Sequence, residues 1–288
     1  MSTLLRCENL CFTYGAGTAF EKHAVKNVNI DIRKGEVIGV IGHTGSGKST
    51  LMQMLNGLIK PTSGRVLLDD IDINADKKKL RDVRFRVGLV FQYPENQLFE
   101  ETVRKDIAFG PGNMGLPEKA IEERVKKAAE FAGLKESLLD RSPFDLSGGE
   151  KRRAAIAGVI AMDPEILILD EPTAGLDPMG RDVLLSQIDA YHNARRNTVL
   201  LVSHSMEDIA SIADRVLVMS DGDCVMFDET HKVFSRAEEL EKIGLRVPQV
   251  TKITTELRKR GVPLSEGILT VEQAFKELRE ILKKEGKI

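Results

Sequence analysis

The chain has 288 residues, of which 42% are apolar and 30% charged, and a formal net charge of −2. That is the composition of a globular protein able to bury a substantial core, either as one large domain or as a domain with an appendage. The charge excludes a nucleic-acid binder that relies on bulk positive charge, and Cys7, Cys11 and Cys224 neither pair fully nor form a metal-spaced cluster, so reduced thiols are expected.

Met1 to Arg6 lacks the apolar core of a signal peptide, and no window is long and apolar enough for a membrane span. A cytosolic protein is expected, one that reaches a membrane only by holding onto something else. Residues 3 to 36 alternate apolar and polar side chains (Leu10, Phe12, Tyr14; Val28, Ile30, Ile32) around Gly15-Ala16-Gly17, which predicts an antiparallel hairpin or small sheet. Tyr14 ends the first run. It is either half-buried packing or an aromatic face for a base.

Val37 to Ile41 is a short β-branched run that predicts a buried strand. It gives way to Gly42-His43-Thr44-Gly45-Ser46-Gly47-Lys48-Ser49-Thr50 and then to an apolar helix with Leu51, Met52, Leu55 and Leu58. Gly42 and Gly47-Lys48-Ser49 fit the phosphate-loop pattern G-x-x-x-x-G-K-[ST]. Its glycines let successive N–H groups turn inward, and the helix start adds positive partial charge. A triphosphate suits that geometry, with Lys48 on the β/γ-phosphates and the Ser49 hydroxyl on Mg²⁺.

Further on, Arg65 to Leu68 predicts a strand and Asp76 to Arg86 a charged surface segment. Val87 to Phe91 is a second buried strand, delivering Gln92 at its end, where α/β sheets place ligand chemistry. Thr102 to Leu139 reads as helical, with Val125, Ala128, Ala129 and Ala132 on one face. Ser147 and Glu150 fit a capping box opening a helix to Met162, but Gly148 and Gly149 are poor helix formers and leave room for another molecule's backbone or phosphate. Ile166 to Glu171 is an aliphatic strand ending in two carboxylates, costly unless they meet a cation or a reacting group. Asp170 fits a Mg²⁺-associated carboxylate, and Glu171 is placed to orient or deprotonate water. Thr198 to Ser203 is another buried strand, with His204 just past its end. Arg215 to Met219 and Cys224 to Phe227 close the sheet through the Asp221-Gly222 turn. From Arg236 the chain is more strongly charged, and Val271, Ala274, Phe275, Leu278 and Leu282 make a helical stripe that packs on its own domain or forms a partner interface.

Taken in order, these pieces resemble the ATP-binding cassette (ABC) family. Gly42 to Ser49 is similar to its Walker A loop, Gln92 to its Q-loop, and Leu146-Ser147-Gly148-Gly149-Glu150 to its signature. Ile166 to Asp170 followed by Glu171 resembles Walker B with its catalytic glutamate, Ala174 to Asp177 the D-loop, and His204 the switch histidine. Glu150 departs from a frequent glutamine, which leaves the predicted helix start intact. Gly42-His43-Thr44-Gly45, Phe91 to Phe99 and Lys151 to Gly158, with the helical tail, narrow the resemblance to the ATPases of energy-coupling factor transporters, bacterial importers of vitamins and of cobalt or nickel.

The resemblance implies an α/β phosphate-loop NTPase with a mixed RecA-like sheet core, an N-terminal antiparallel β subdomain and a helical signature subdomain at about 93–162. The ATPase domain would span 1–235, and the C-terminal helical segment 236–288 would help pair two ATPases. It also implies ATP and Mg²⁺ as cofactors. Lys48, Gln92, Glu171 and His204 would be catalytic; Ser49, Gln92 and Asp170 would hold the metal. Tyr14, the loop from Gly42 to Thr50, Gln92, Ser147, Gly148, Gly149 and Asp177 would contact nucleotide. The implied partners are a second ABC ATPase, more often a paralogue than a copy, arranged head to tail, together with a transmembrane coupling subunit and a substrate-binding membrane subunit. No nucleic acid is implied. The location would be peripheral, on the cytoplasmic face of the cell membrane, with the coupling subunit docked near Gln92 to Phe99, where Glu95 or Glu101 would meet a basic residue. The competing readings are the ATPase of a conventional ABC importer or exporter, or a soluble cassette protein. The last needs a long coiled-coil insert or two cassettes in one chain, and the sequence has neither.

Overall fold

The computed structural model describes residues 2–284; the first residue and the end of the predicted tail, 285–288, lie outside it. The two alternating runs at the start form β1 (Thr3–Tyr14) and β2 (Lys22–Arg33). β3 (Val37–Gly42) leads through the glycine loop into α1 (Lys48–Leu55), and β4 (Ser63–Leu68), β5 (Ile71–Asp72), α2 (Leu80–Arg86) and β6 (Val87–Val90) follow. The helical stretch is two helices, α3 (Val103–Asn113) and α4 (Glu118–Phe131), because Gly115 and Pro117 interrupt it. Next come α5 (Gly148–Ile160), β7 (Ile166–Asp170), α6 (Pro178–Arg195), β8 (Thr198–Val202), α7 (Met206–Ile212), β9 (Arg215–Ser220) and β10 (Asp223–Glu229). The tail is α8 (Thr230–Ser235), α9 (Ala237–Lys242), α10 (Gln249–Lys259) and α11 (Val271–Lys284).

The strands make an antiparallel sheet ordered β2-β1-β4-β5 and a larger sheet ordered β10-β9-β3-β8-β7-β6. In the larger sheet β9, β3, β8, β7 and β6 run parallel and β10 pairs antiparallel at one edge. Parallel strands are covered on both faces, which is why their sequences read as unbroken aliphatic runs. The pleat divides those runs. Ile38, Val40, Ile166, Ile168, Leu200 and Val202 face α1 and the antiparallel sheet, joining Leu51, Met52, Met54 and Leu55. Val37, Ile41, Leu167, Leu169, Val199 and Leu201 face the opposite way, onto apolar residues of α3 to α7. With β3 between β8 and β9, the glycine loop emerges at the middle of the sheet's carboxyl edge.

α2 lies inside the expected charged segment and buries Val83. Leu240, Leu245 and Val247 of the tail join the core of the larger sheet, whereas Leu264, Ile268 and Ala274 form a small cluster with Leu257, Leu278 and Ile281 around it. The predicted stripe of α11 is therefore divided. Ala274 and Leu278 pack within the tail, while Val271 and Phe275 are 75% and 63% exposed. Cys7 is buried and Cys11 and Cys224 half-buried, all three as free thiols; burial raises Cys224 to about 11, which keeps it protonated and unreactive. Among the described residues, no helix is long and apolar enough to cross a membrane.

Candidate functional site

The glycine loop is built by close approach. Gly42 and Gly47 both have positive φ, 157° and 98°. A Cβ on Gly42 would lie 2.3 Å from the Met219 carbonyl oxygen, and one on Gly47 would lie 2.1 Å from that of Ala24. The β9–β10 turn braces the loop from outside, since the Gly222 N–H donates to the Ser46 carbonyl at 3.1 Å. Lys48, nearly buried at the first position of α1, donates from Nζ to the carbonyls of Gly42 (2.8 Å) and His43 (3.0 Å). Burial pushes its ammonium below the ordinary lysine value, and the carboxylates of Glu171 and Asp170 pull it back up in part.

A cleft of about 350 Å³ opens over this loop, lined by Tyr14, Thr44, Gly45, Gly47, Lys48, Ser49, Thr50, Gln92, Glu171 and His204. Tyr14 is half-exposed, packs edge-on against Phe12 at 4.8 Å, and hydrogen-bonds the Thr50 hydroxyl at 3.1 Å. It therefore both packs on Phe12 and borders the cleft. Lys22 and Ala24 of β2 also line it. Sequence reasoning missed them, because nothing in a strand's alternation marks which of its residues will face a loop far along the chain.

At the ends of β6, β7 and β8 the polar groups converge. Glu171 follows β7 with φ 51°, a left-handed conformation that a non-glycine residue adopts only when its surroundings hold it there. Its N–H donates to the Val202 carbonyl at 3.1 Å. One carboxylate oxygen accepts from the Gln92 side-chain amide at 2.9 Å, and the other lies 2.7 Å from His204 Nε2. Three residues from three strand ends thus share one carboxylate.

Asp170, one residue earlier, is 5% exposed, lies beside the Ser49 hydroxyl, and its Oδ1 has no hydrogen-bond partner. Burial raises its carboxyl above the usual carboxylate range, against the opposing effects of the Ser49 hydrogen bond and Lys48. A buried carboxylate with an unpartnered oxygen beside the Ser49 hydroxyl is oxygen chemistry that suits a hard divalent cation, so the residues present fit Mg²⁺. No cluster of three or more His, Cys, Asp or Glu ligands exists among the described residues.

Other predicted site residues lie outside this cleft. Gly42 and His43 line a larger one, of about 970 Å³, which shares Thr44 and His204 and is closed by tail residues such as Glu241, Arg246 and Lys252. His43 Nε2 lies 3.5 Å from Asp221, and Ser46 is fully buried behind the loop. The Glu171 carboxylate and the loop residues Gly45, Gly47 and Ser49 belong to the smaller cleft. Ser147, Gly148 and Gly149 line neither. Ser147 caps α5 through a reciprocal pair with Glu150: its backbone N–H and hydroxyl donate to the Glu150 carboxylate at 2.9 and 2.6 Å, and the hydroxyl accepts from the Glu150 N–H at 3.4 Å. Asp177 caps α6, accepting from the Gly180 N–H at 2.6 Å.

Of the two carboxylates expected to meet a basic residue of a membrane partner, Glu95 is paired within the chain, with Arg152 at 2.7 and 3.1 Å. Glu101 is exposed and paired with Lys105 at 2.5 Å.

The family model described as ABC transporter matches residues 25–174. An energy-coupling factor transporter ATP-binding protein EcfA2 of Clostridium acetobutylicum is 55% identical, over 96% of this chain and 98% of that protein. The chain belongs to the energy-coupling factor branch of the ABC transporter ATPases. An EcfA2 of Clostridium perfringens is 56% identical over 97% of this chain and 98% of its own length. Among solved structures, cbiO1 of Clostridium perfringens, part of the ABC transporter complex cbiONQ, aligns with a TM-score of 0.75 and 39% identity, over 88% of this chain and 100% of that one. A dimeric ATP-binding cassette in a post-hydrolysis state bound to ADP and Pi aligns at 0.71 with 28% identity, over 79% and 99%. As an ABC ATPase the chain binds ATP.

Proposed function

We propose that the chain is the ATP-hydrolysing subunit of an energy-coupling factor importer, powering uptake of vitamins or transition-metal ions through membrane partners. The observation that carries this reading is the meeting of Lys48, Ser49, Gln92, Glu171 and His204 in one cleft, with Asp170 behind them, in a chain 55% identical to EcfA2 over nearly its full length.

The base of ATP stacks on Tyr14, and the loop amides receive the phosphates. Lys48 exchanges the carbonyls of Gly42 and His43 for the β/γ-phosphates. Ser49, Asp170 and Gln92 would hold Mg²⁺, whose role is to neutralise charge on the β- and γ-phosphate oxygens. Glu171 orients and deprotonates the attacking water, and His204 holds the γ-phosphate. Phosphoryl transfer needs positioning and charge stabilisation more than covalent chemistry, so enclosing the far side of the γ-phosphate completes the site. The N-terminus of α5, with Ser147, Gly148 and Gly149, is suited to that task across a head-to-tail pair, where each ATPase, copy or paralogue, caps the other's nucleotide. Asp177 couples the two halves.

Closing and reopening would move a transmembrane coupling subunit docked beside Gln92 to Phe99. Phe99 and Phe109 offer an exposed, edge-on aromatic pair there, 4.9 Å apart, which suits an apolar partner helix. The protein would then sit peripherally on the cytoplasmic face of the membrane. The experiment is to tag the chain, solubilise membranes, and identify what co-purifies while measuring Mg²⁺-dependent ATP hydrolysis. A second ATPase with membrane subunits is expected. Isolation without membrane proteins, or full-speed hydrolysis by Lys48→Ala, would overturn the reading.

A further inference from the structure

Arg152 is a cation on the second turn of α5 and only 4% exposed, a position that needs full compensation. Its compensation comes from two separate segments. On one side, Nε and Nη2 form a two-pronged pair with the Glu95 carboxylate at 3.1 and 2.7 Å; Glu95 sits in the single 3-10 turn Pro94–Gln97 that follows Gln92. On the other side, Nη1 donates to the carbonyls of Pro172 (3.2 Å) and Ala174 (2.5 Å), in the bend between Glu171 and Asp177. One guanidinium therefore fastens the segment after Gln92, the helix opened by Ser147, and the segment after Glu171. A planar fork with fixed donors does this, whereas a lysine has one point charge on a flexible stem.

We infer that Arg152 is a positioning residue for hydrolysis: through Glu95 and the Pro172 and Ala174 carbonyls it sets the placement of Gln92, Glu171 and Asp177 relative to the signature helix, so that movement at the Gln92–Phe99 surface reaches the hydrolytic carboxylate. The inference rests on the functional reading above. It adds the route by which docking and hydrolysis communicate. Arg152 does not line the cleft over the glycine loop, and Gln92 and Glu171 are themselves joined at 2.9 Å, so the segments that follow each of them are fastened to the same guanidinium. The competing explanation is a stabilising ion pair with no part in turnover.

The test compares three variants of the full chain, assembled with the subunits that co-purify with it. Arg152→Lys and Glu95→Gln keep polar groups in place but lose the two-pronged geometry. The double variant Arg152→Met with Glu95→Met replaces the pair by apolar side chains, an exchange that folds often tolerate or gain from. Each single variant is expected to lower kcat about tenfold or more with KM for ATP within about twofold, because the loss falls on transition-state positioning rather than on nucleotide binding. The double variant should keep the wild-type melting temperature or exceed it, yet have a kcat as low as the singles. Wild-type kcat in both single variants, or its recovery in the double one, overturns the linkage and leaves the functional reading standing. Absence of ATP hydrolysis by the wild-type assembly sinks both.

Discussion

Gly149→Ala separates what this chain's own fold needs from what a second molecule needs. Gly148 and Gly149 are the first two residues of α5. A methyl at 148 would meet nothing within 4 Å, and one at 149 only the Arg153 guanidinium at 3.8 Å, an ordinary contact. Neither residue has positive φ, so alanine is unstrained and its higher helix propensity adds at most about 1 kcal/mol. For a chain of this size that is a rise in melting temperature of at most about 4 °C. If the phosphate of a nucleotide held by a second ATPase approaches the backbone here, the same methyl keeps it back by on the order of 1 Å, which costs on the order of 100-fold in rate. The assay pairs thermal unfolding with steady-state Mg²⁺-dependent ATP hydrolysis. Unchanged or slightly raised melting temperature, unchanged ATP binding to the single subunit, and a collapsed kcat are expected. A melting temperature lowered by several degrees would mean the glycine serves the chain's own packing, and an unchanged kcat would remove the phosphate from that helix start.

Gly47→Ala acts inside the chain instead: the methyl would sit 2.1 Å from the Ala24 carbonyl at φ 98°, so the loop must shift and ATP affinity should fall about 100-fold, measured by calorimetric titration. Glu171→Gln should bind ATP as tightly as wild type but hydrolyse it at least about 100-fold more slowly, trapping the closed pair in sedimentation; undiminished turnover would reassign the water-activating group. For Glu95, burial is the largest single effect and raises its carboxyl, but the Arg152 hydrogen bond, a backbone hydrogen bond and the Arg152 charge together outweigh it and hold the group below the ordinary 4.5, so the stability it contributes is present above 4.5 and lost as pH falls through the lower folded value. Glu95→Gln should therefore flatten the acid limb of melting temperature against pH, and an unaltered limb would show that the pair carries no net stability. Val271→Glu with Phe275→Glu should loosen pairing of the ATPases in sedimentation without lowering the melting temperature, since both side chains are already exposed; a charge at Leu278 would instead break the tail's own cluster.

How much could be read in advance differs from one element to the next. The loop from Gly42 to Ser49 and the strand from Ile166 to Glu171 were legible because their chemistry is local: glycines at fixed spacing, then two carboxylates after an aliphatic run. The Ser147–Glu150 capping box was legible for the same reason, being closed within four residues. The Glu95–Arg152 pair was not legible, because the two lie 57 positions apart and no periodicity reports a contact of that separation. Leu278 and Phe275 share a stripe in sequence, and only the residues around Leu264 and Ile268 decide which of them is covered.

The sequence by itself determined the buried strands of the larger sheet, the glycine loop and the Ser147–Glu150 cap, since these depend on neighbours along the chain. The tertiary structure alone decided that Gln92, Glu171 and His204 share one carboxylate, that Asp170 is left with an unpartnered oxygen, and that Arg152 joins three segments. The order of strands in the sheet brings their ends together, and that order is fixed by burial on both faces rather than by any local pattern.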